Sequence, residues 1–209
     1  NATSDPTTFF ADDYFNESGR YVMDGIYNEG SDGFPDQVHE YSNVAAGLSA
    51  YAIEQKLNIN FAENMKQNIF MPLNMNNTSW HHVELNESNP KAKQYALDED
   101  SQPIEVPEYS YPTFYDGDLN ISAKDLATFL ITIANGGEYK ETRILEQDSV
   151  EAMVASQTDV LNQRDTQGVF WYWQGSYVGH GGGDPGTNAM MQYNTATKTG
   201  IVVLMNGED

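Results

Sequence analysis

Two short stretches hold residue types that can do chemistry together. In residues 177–186, Tyr-Val-Gly-His-Gly-Gly-Gly-Asp-Pro-Gly, His180 is one of four histidines and sits among Gly179, Gly181, Gly182 and Gly183. Glycines let backbone amides approach a ligand without side-chain interference, so the stretch reads as a loop lining a site. A loop histidine bonded to backbone is the plain alternative. The second stretch is Tyr41-Ser42-Asn43, directly before an apolar segment. A tyrosine of ordinary pKa, ~10, is a poor base at neutral pH and becomes useful only where neighbouring cations favour the phenolate. The plain alternative here is a buried hydroxyl and a helix cap.

Other chemical patterns dissolve on inspection. Gly181-x-Gly183-x-x-Gly186 has the spacing of a dinucleotide loop, but a strand rather than a helix follows, and Asp184-Pro185 repels phosphate and removes an amide. Asp116-x-Asp118-x-Asn120 starts like a calcium loop, yet Ile121 stands where glycine is required and Ala127 where the last glutamate belongs. His81-His82 with Glu84 lie in an extended segment whose adjacent side chains point to opposite faces, so they read as a solvated pair and no metal site is expected.

The elements that must position these residues follow from periodicity. Val44, Leu48, Tyr51 and Ala52 recur at helical spacing, and nearly every residue from 43 to 53 is small or apolar, which predicts a largely buried helix. A second helix is expected over residues 61–70, stopped by Pro72. Residues 74–120, with Pro90, Pro103, Pro107 and Pro112, read as long surface excursions. Ser122 with Asp125 three residues on resembles a capping box. Leu126, Phe129, Leu130 and Ile133 make an apolar face, and Asn135-Gly136-Gly137 supplies the stop of a helix over 122–135. A shorter helix is expected at 147–157. Strands follow at 169–173, 189–193 and 201–205, the last an uninterrupted apolar run typical of an internal strand.

Composition narrows the partners. The 209 residues include 39% hydrophobic and 20% charged, the balance of a globular chain with a sizeable core. A net charge of −21, from 31 acids against 10 bases, argues against nucleic acid or an anionic membrane surface. No run reaches the ~18 apolar residues of a membrane span. Cysteine is absent, which removes disulfides, thiol nucleophiles and cysteine-ligated zinc.

Four words occur in one order. Tyr41-Ser42-Asn43 matches Tyr-x-Asn, and Phe70-Met71-Pro72-Leu73-Asn74-Met75 is similar to a stretch ending Pro-Leu-Gly-Met. Residues 122–137 are similar to an Asp-Leu-Ala-x-Phe helix ending in Asn-Gly-Gly, and His180-Gly181-Gly182 has the His-x-Gly form. In this set the chain, from about Phe34 to Asn206, resembles the serine β-lactamase and penicillin-binding-protein superfamily, in particular its class C β-lactamase, esterase and D-aminopeptidase branch. The resemblance implies an acyl-transfer site, which needs a nucleophile, a base and donors aimed at the developing oxyanion. It makes Tyr41 the general base, and Asn43 the holder of a motif lysine and of a substrate amide oxygen. It sets His180 where many relatives have a lysine, a substitution that leans toward esterase or peptidase activity. The Gly183 N–H becomes an oxyanion donor on a wall shared with Gly181 and Gly182. It implies a small-molecule or peptide substrate, no metal or organic cofactor, and a periplasmic or extracellular location.

The departure is as informative. The family's Ser-x-x-Lys belongs before Tyr41, and residues 1–40 contain no lysine; Ser88-Asn89-Pro90-Lys91 comes later, in a proline-broken polar stretch, and reads as coincidence. The expectation is an α+β, β-lactamase-like fold incomplete at both ends. A mainly helical lobe with long loops spans 1–164, and antiparallel strands of the α/β lobe span 165–209. The chain is then a serine-hydrolase fragment without its nucleophile, inactive alone, whose partner is the missing N-terminal segment of the same protein. The rival is a catalytically silent ligand-binding module of the same fold. Truncation predicts exposed apolar surface on the helix at 44–53 and the strand at 201–205.

Overall fold

Residues 41–80, 90–111, 113–157 and 167–207 are described by the structure, a computed structural model. Helix α1 (Asn43–Leu57) starts at Ser42, whose Oγ accepts from the Ala45 N–H, and ends at Asn58 in the left-handed conformation. Ser42 rather than Asn43 is therefore the cap. Gly47, Ala50, Tyr51 and Glu54, spaced for one face, are its buried residues. The expectation of a largely buried helix is corrected: Ile53 and Leu57 are 45% and 60% exposed. A helix that is apolar around much of its circumference does not say which side meets a partner. Here the buried stripe is selected by a carboxylate. Glu54 accepts from the Phe61 N–H and from the Tyr115 hydroxyl, each at 2.7 Å, and so ties α1 to the next helix and to the strap that follows.

Helix α2 (Phe61–Met65) runs into a π turn at Lys66–Phe70, as expected for 61–70, and the chain turns at 71–74 around Pro72. Ala62, Phe70, Leu73, Met75, Trp80 and Phe114 form one core. Trp80 donates its indole N–H to the Gly117 carbonyl at 3.0 Å, anchoring a strap that contains the 3-10 turn Phe114–Asp116.

Strand β1 (Thr78–Ser79) precedes a hairpin that was not expected, β2 (Gln94–Leu97) with β3 (Pro103–Val106). Each strand is only four residues long and its residues are half-buried or exposed, too short a run, between prolines and acids, to stand out as a strand by periodicity. Asp98 organises the turn by accepting from the Asp100 and Gln102 N–H groups, and Tyr95 donates its N–H to the Asn206 carbonyl at 3.1 Å.

Strand β4 (Asn120–Ile121) pairs with β1 and leads into α3 (Ala123–Ala134). Ser122 caps α3, as the sequence predicts, by accepting from the Asp125 N–H at 3.1 Å. Asp125 itself is engaged across the fold. It accepts from the Asn77 N–H at 2.7 Å and the Thr78 hydroxyl at 3.1 Å, so its carboxylate joins the cap to β1. After α3 come the small hairpin β5 (Glu138–Tyr139) and β6 (Thr142–Arg143), then α4 (Gln147–Val154) with Val150 inward.

The last strands form a four-stranded antiparallel sheet in the order β10-β9-β8-β7. They are β7 (Tyr172–Gln174), β8 (Tyr177–Asp184), β9 (Thr187–Asn194) and β10 (Gly200–Met205). Leu130, Ile133 and Ala134 of α3 pack with Val150, Trp171, Val178 and Tyr193 into a second core. Two expectations are corrected here. The stretch read as a loop around His180 is strand β8, closed by the Pro185-Gly186 turn. Glycine permits a loop without requiring one, and eight-residue pairing with β9 imposes the strand. The 201–205 run is an edge strand among the described residues, with Ile201 48% exposed.

Candidate active site

The start of α1, the strap around 113–117 and the second half of β8 enclose a cleft of about 670 Å³. Tyr41, Asn43, His180 and the glycines 181–183 all line it. Tyr41 donates its hydroxyl to Asn43 Oδ1 at 2.6 Å. Its ring centroid lies 6.2 Å from that of His180, and Tyr172 lies 5.2 Å from the same imidazole. His180 Nδ1 bonds the Gly181 carbonyl. A carbonyl only accepts, so Nδ1 carries the proton and Nε2 is the nitrogen left for a ligand.

Strand register explains what the glycines offer. Partner β9 runs along all of β8, whereas β7 pairs only as far as Gly179. Gln174 and Tyr177 flank the two-residue turn that joins β7 to β8, so their pair exchanges both hydrogen bonds, and the alternation then turns every odd-numbered backbone group of β8 toward the β7 side. Beyond the end of β7, Gly183 therefore presents its N–H and C=O, and Gly181 its N–H, at an edge no strand covers among the described residues, while the Gly181 carbonyl is taken by His180. Glycine is needed for tight contact at Gly179, where a Cβ would come within 2.0 Å of the Met191 carbonyl oxygen. At Gly182 a Cβ would meet nothing within 4 Å.

The electrostatics run against a ready-made base. The Tyr41 pKa is raised, first by partial burial and then by the Asp116 and Asp184 carboxylates. Asp116 is itself pushed from 3.8 to about 6, mainly by burial, with Asp118 and Asp184 adding repulsion against a hydrogen bond from Thr113. Tyr111, which donates its hydroxyl to Asp184 Oδ1 at 3.1 Å, is raised by burial and then by that bond. No lysine or arginine lines this cleft among the described residues.

Tyr111, Thr113, Asp116, Gly117, Tyr172 and Asp184 also line the cleft, and motif reasoning did not single them out for this site. Asp184 lay within the His180 stretch and Asp116 within the rejected calcium loop, so both were visible without a reason to join them. In the stretch that starts like a calcium loop, Asp118 Oδ2 accepts from Ser110 Oγ and the Tyr111 N–H. Ser88, His81, His82 and Glu84 lie outside the described residues. No helix among the described residues is long and apolar enough to cross a membrane.

A tyrosine-asparagine pair at a helix start thus faces a histidine and a glycine-rich strand across one cleft. The chain belongs to the Beta-lactamase family, which it matches over residues 1–209. It is 29% identical over 209 aligned positions to penicillin-binding protein 4* of Bacillus subtilis (strain 168), covering 90% of this chain and 44% of that protein. The fold is shared with the octameric penicillin-binding protein homologue of Pyrococcus abyssi (TM-score 0.78, 23% identity, 96% of this chain and 44% of that one). It is also shared with the D-amino acid amidase of Ochrobactrum anthropi SV3 (TM-score 0.68, 21% identity, 84% and 52%). The chain thus spans less than half the length of the curated relative it matches.

Proposed function

We propose that this chain carries the Tyr-x-Asn and His-x-Gly walls of a serine hydrolase that forms and hydrolyses an acyl-enzyme on an amide, ester or β-lactam bond. Tyr41 acts as general base toward a serine hydroxyl. Asn43 orients Tyr41 and a substrate amide, His180 Nε2 meets the substrate end beyond the reacting carbonyl, and the Gly183 N–H stabilises the oxyanion. The observation that carries the reading is the 2.6 Å Tyr41–Asn43 bond facing His180 across the open edge of β8. Lowering the Tyr41 pKa against Asp116 and Asp184 takes a nearby cation. Nucleophile and cation are assigned to a Ser-x-x-Lys segment of the same protein outside these 209 residues. The cleft then lies between a mainly helical lobe, 1–164, and the strands of 165–209.

A second reading has its own support. The raised Tyr41 pKa fits a silent module that binds a ligand in this cleft without acylation. Incubating the full-length protein with p-nitrophenyl acetate and nitrocefin, then measuring intact mass, separates the two. A trapped acyl adduct whose formation slows at least ~100-fold in Tyr41→Phe, within the range of general-base contributions, supports the hydrolase. Absence of any adduct, or an unchanged rate in Tyr41→Phe, removes that mechanism.

A further inference from the structure

Three consecutive aromatic residues at the start of β7 are divided between two tasks. Trp171 is buried in the second core, in edge-to-face contact with Tyr193 at 6.4 Å, and the Trp173 indole donates its N–H to the Val154 carbonyl at 2.7 Å. Tyr172 stands between these two anchors, and its backbone is set by pairing with Gly179. Its half-buried side chain belongs to neither core among the described residues and lines the cleft instead. The fold thus fixes where this phenol stands without spending its ring on the core.

What the ring meets is His180. The Tyr172 and imidazole centroids are 5.2 Å apart with 59° between the planes, and Tyr41 is the farther ring neighbour at 6.2 Å and 44°. Tilted rings at such separations attract one another. The restraint matters because the last torsion of a histidine is soft and broad. His180 Nδ1 keeps its bond to the Gly181 carbonyl only while the imidazole plane holds one setting, and this half-buried ring is within reach of competing water. Tyr41 is already committed through its hydroxyl to Asn43, which leaves Tyr172 as the closer support. Burial, and then the neighbouring Tyr41 phenol, raise the Tyr172 pKa, so Tyr172 acts as a neutral ring and not as a phenolate base.

We propose that Tyr172 is a positioning residue for His180, its ring holding the imidazole plane so that the Nδ1 proton stays on the Gly181 carbonyl and Nε2 stays presented to the ligand. The consequence for rate rests on the hydrolase reading of His180; the placement of the imidazole rests on the cleft alone.

The test uses the full-length protein labelled with 15N-histidine, with the His180 signals assigned by their loss in His180→Gln. At pH 8.5, where an ordinary imidazole is neutral, wild type should show Nδ1 protonated and Nε2 unprotonated. In Tyr172→Ala the two nitrogen shifts should converge, the signature of exchange between tautomers, while Tyr172→Phe keeps the wild-type pattern. A side chain that merely supported the fold would not move the tautomer. In parallel, kcat/KM for p-nitrophenyl acetate should fall at least ~10-fold in Tyr172→Ala, the scale of a misplaced reacting group, and recover in Tyr172→Phe. Tyr172→Leu, which fills much of the space without a ring, gives the same readouts should the alanine variant not fold. A wild-type His180 protonated at Nε2 overturns the proposal. So do nitrogen shifts unmoved by both ring-removing variants, or a Tyr172→Phe as impaired as Tyr172→Ala, which would assign the effect to the hydroxyl. Converging shifts in Tyr172→Ala with no turnover by any form leave the positioning role standing and remove the hydrolase. Ester turnover with the His180 shifts unmoved removes the positioning role alone.

Discussion

The two longest helices among the described residues are secured in different ways. Helix α3 is capped at Ser122, pinned by Asp125 to β1, and packed through Leu130 and Ile133 onto the sheet. Helix α1, whose start carries the candidate catalytic pair, buries Tyr51 beside half-buried Val44 and Leu48 and is held by the two hydrogen bonds of Glu54. One is a scaffold built from apolar burial. The other positions Tyr41 and Asn43 by a few polar ties, which leaves their geometry dependent on single side chains.

The sharpest way to break that contrast is a pair of truncations. Ile133 is 1% exposed and Ile53 is 45% exposed. We expect Ile133→Ala to destabilise by about 3 kcal/mol, transfer plus cavity, and Ile53→Ala by under about 1 kcal/mol, read from urea unfolding midpoints. Equal losses would mean that the outer side of α1 is covered in the whole protein.

Glu54→Ala comes next. It leaves the Tyr115 hydroxyl and the Phe61 N–H without their charged acceptor and should cost about 2 kcal/mol. It should also reduce ligand binding in the cleft by loosening the helix that presents Tyr41. A stability loss with ligand binding unchanged would show that Glu54 supports the fold without positioning the site.

The smallest effect has an unusual sign. The folded pKa of Asp116, about 6, exceeds its unfolded value of 3.8. The folded state therefore holds this proton more tightly, and the contribution to stability is fully present below pH 4 and lost as pH rises through 6. Asp116→Asn removes the penalty of the buried charge. After discounting for partial exposure, it should stabilise by about 1 kcal/mol at pH 7.5, a gain that shrinks toward pH 4. A gain equal at both pH values would mean that the charge is not its source.

Much of the scaffold was legible in the chain. The cap, apolar face and Asn-Gly-Gly stop of α3 are local signals written within one helix length, and the Pro72 stop is of the same kind; that Ser42 rather than Asn43 caps α1 came from the structure. The Tyr41 and His180 words could be set side by side only through family resemblance, since nothing in their spacing states that they face each other.

What the sequence determined by itself, then, was the set of elements with strong local periodicity and the residue types available for chemistry. Tertiary structure alone decided that the glycine run is a strand with an open backbone edge, because strand formation there depends on a partner, β9, that glycine does not announce. It decided that the polar stretch 94–106 is a hairpin and that only one side of α1 is covered. It also brought Asp116 and Asp184 together: they are remote in the chain, and their convergence follows from Trp80 holding the strap while the β8–β9 turn returns beside it.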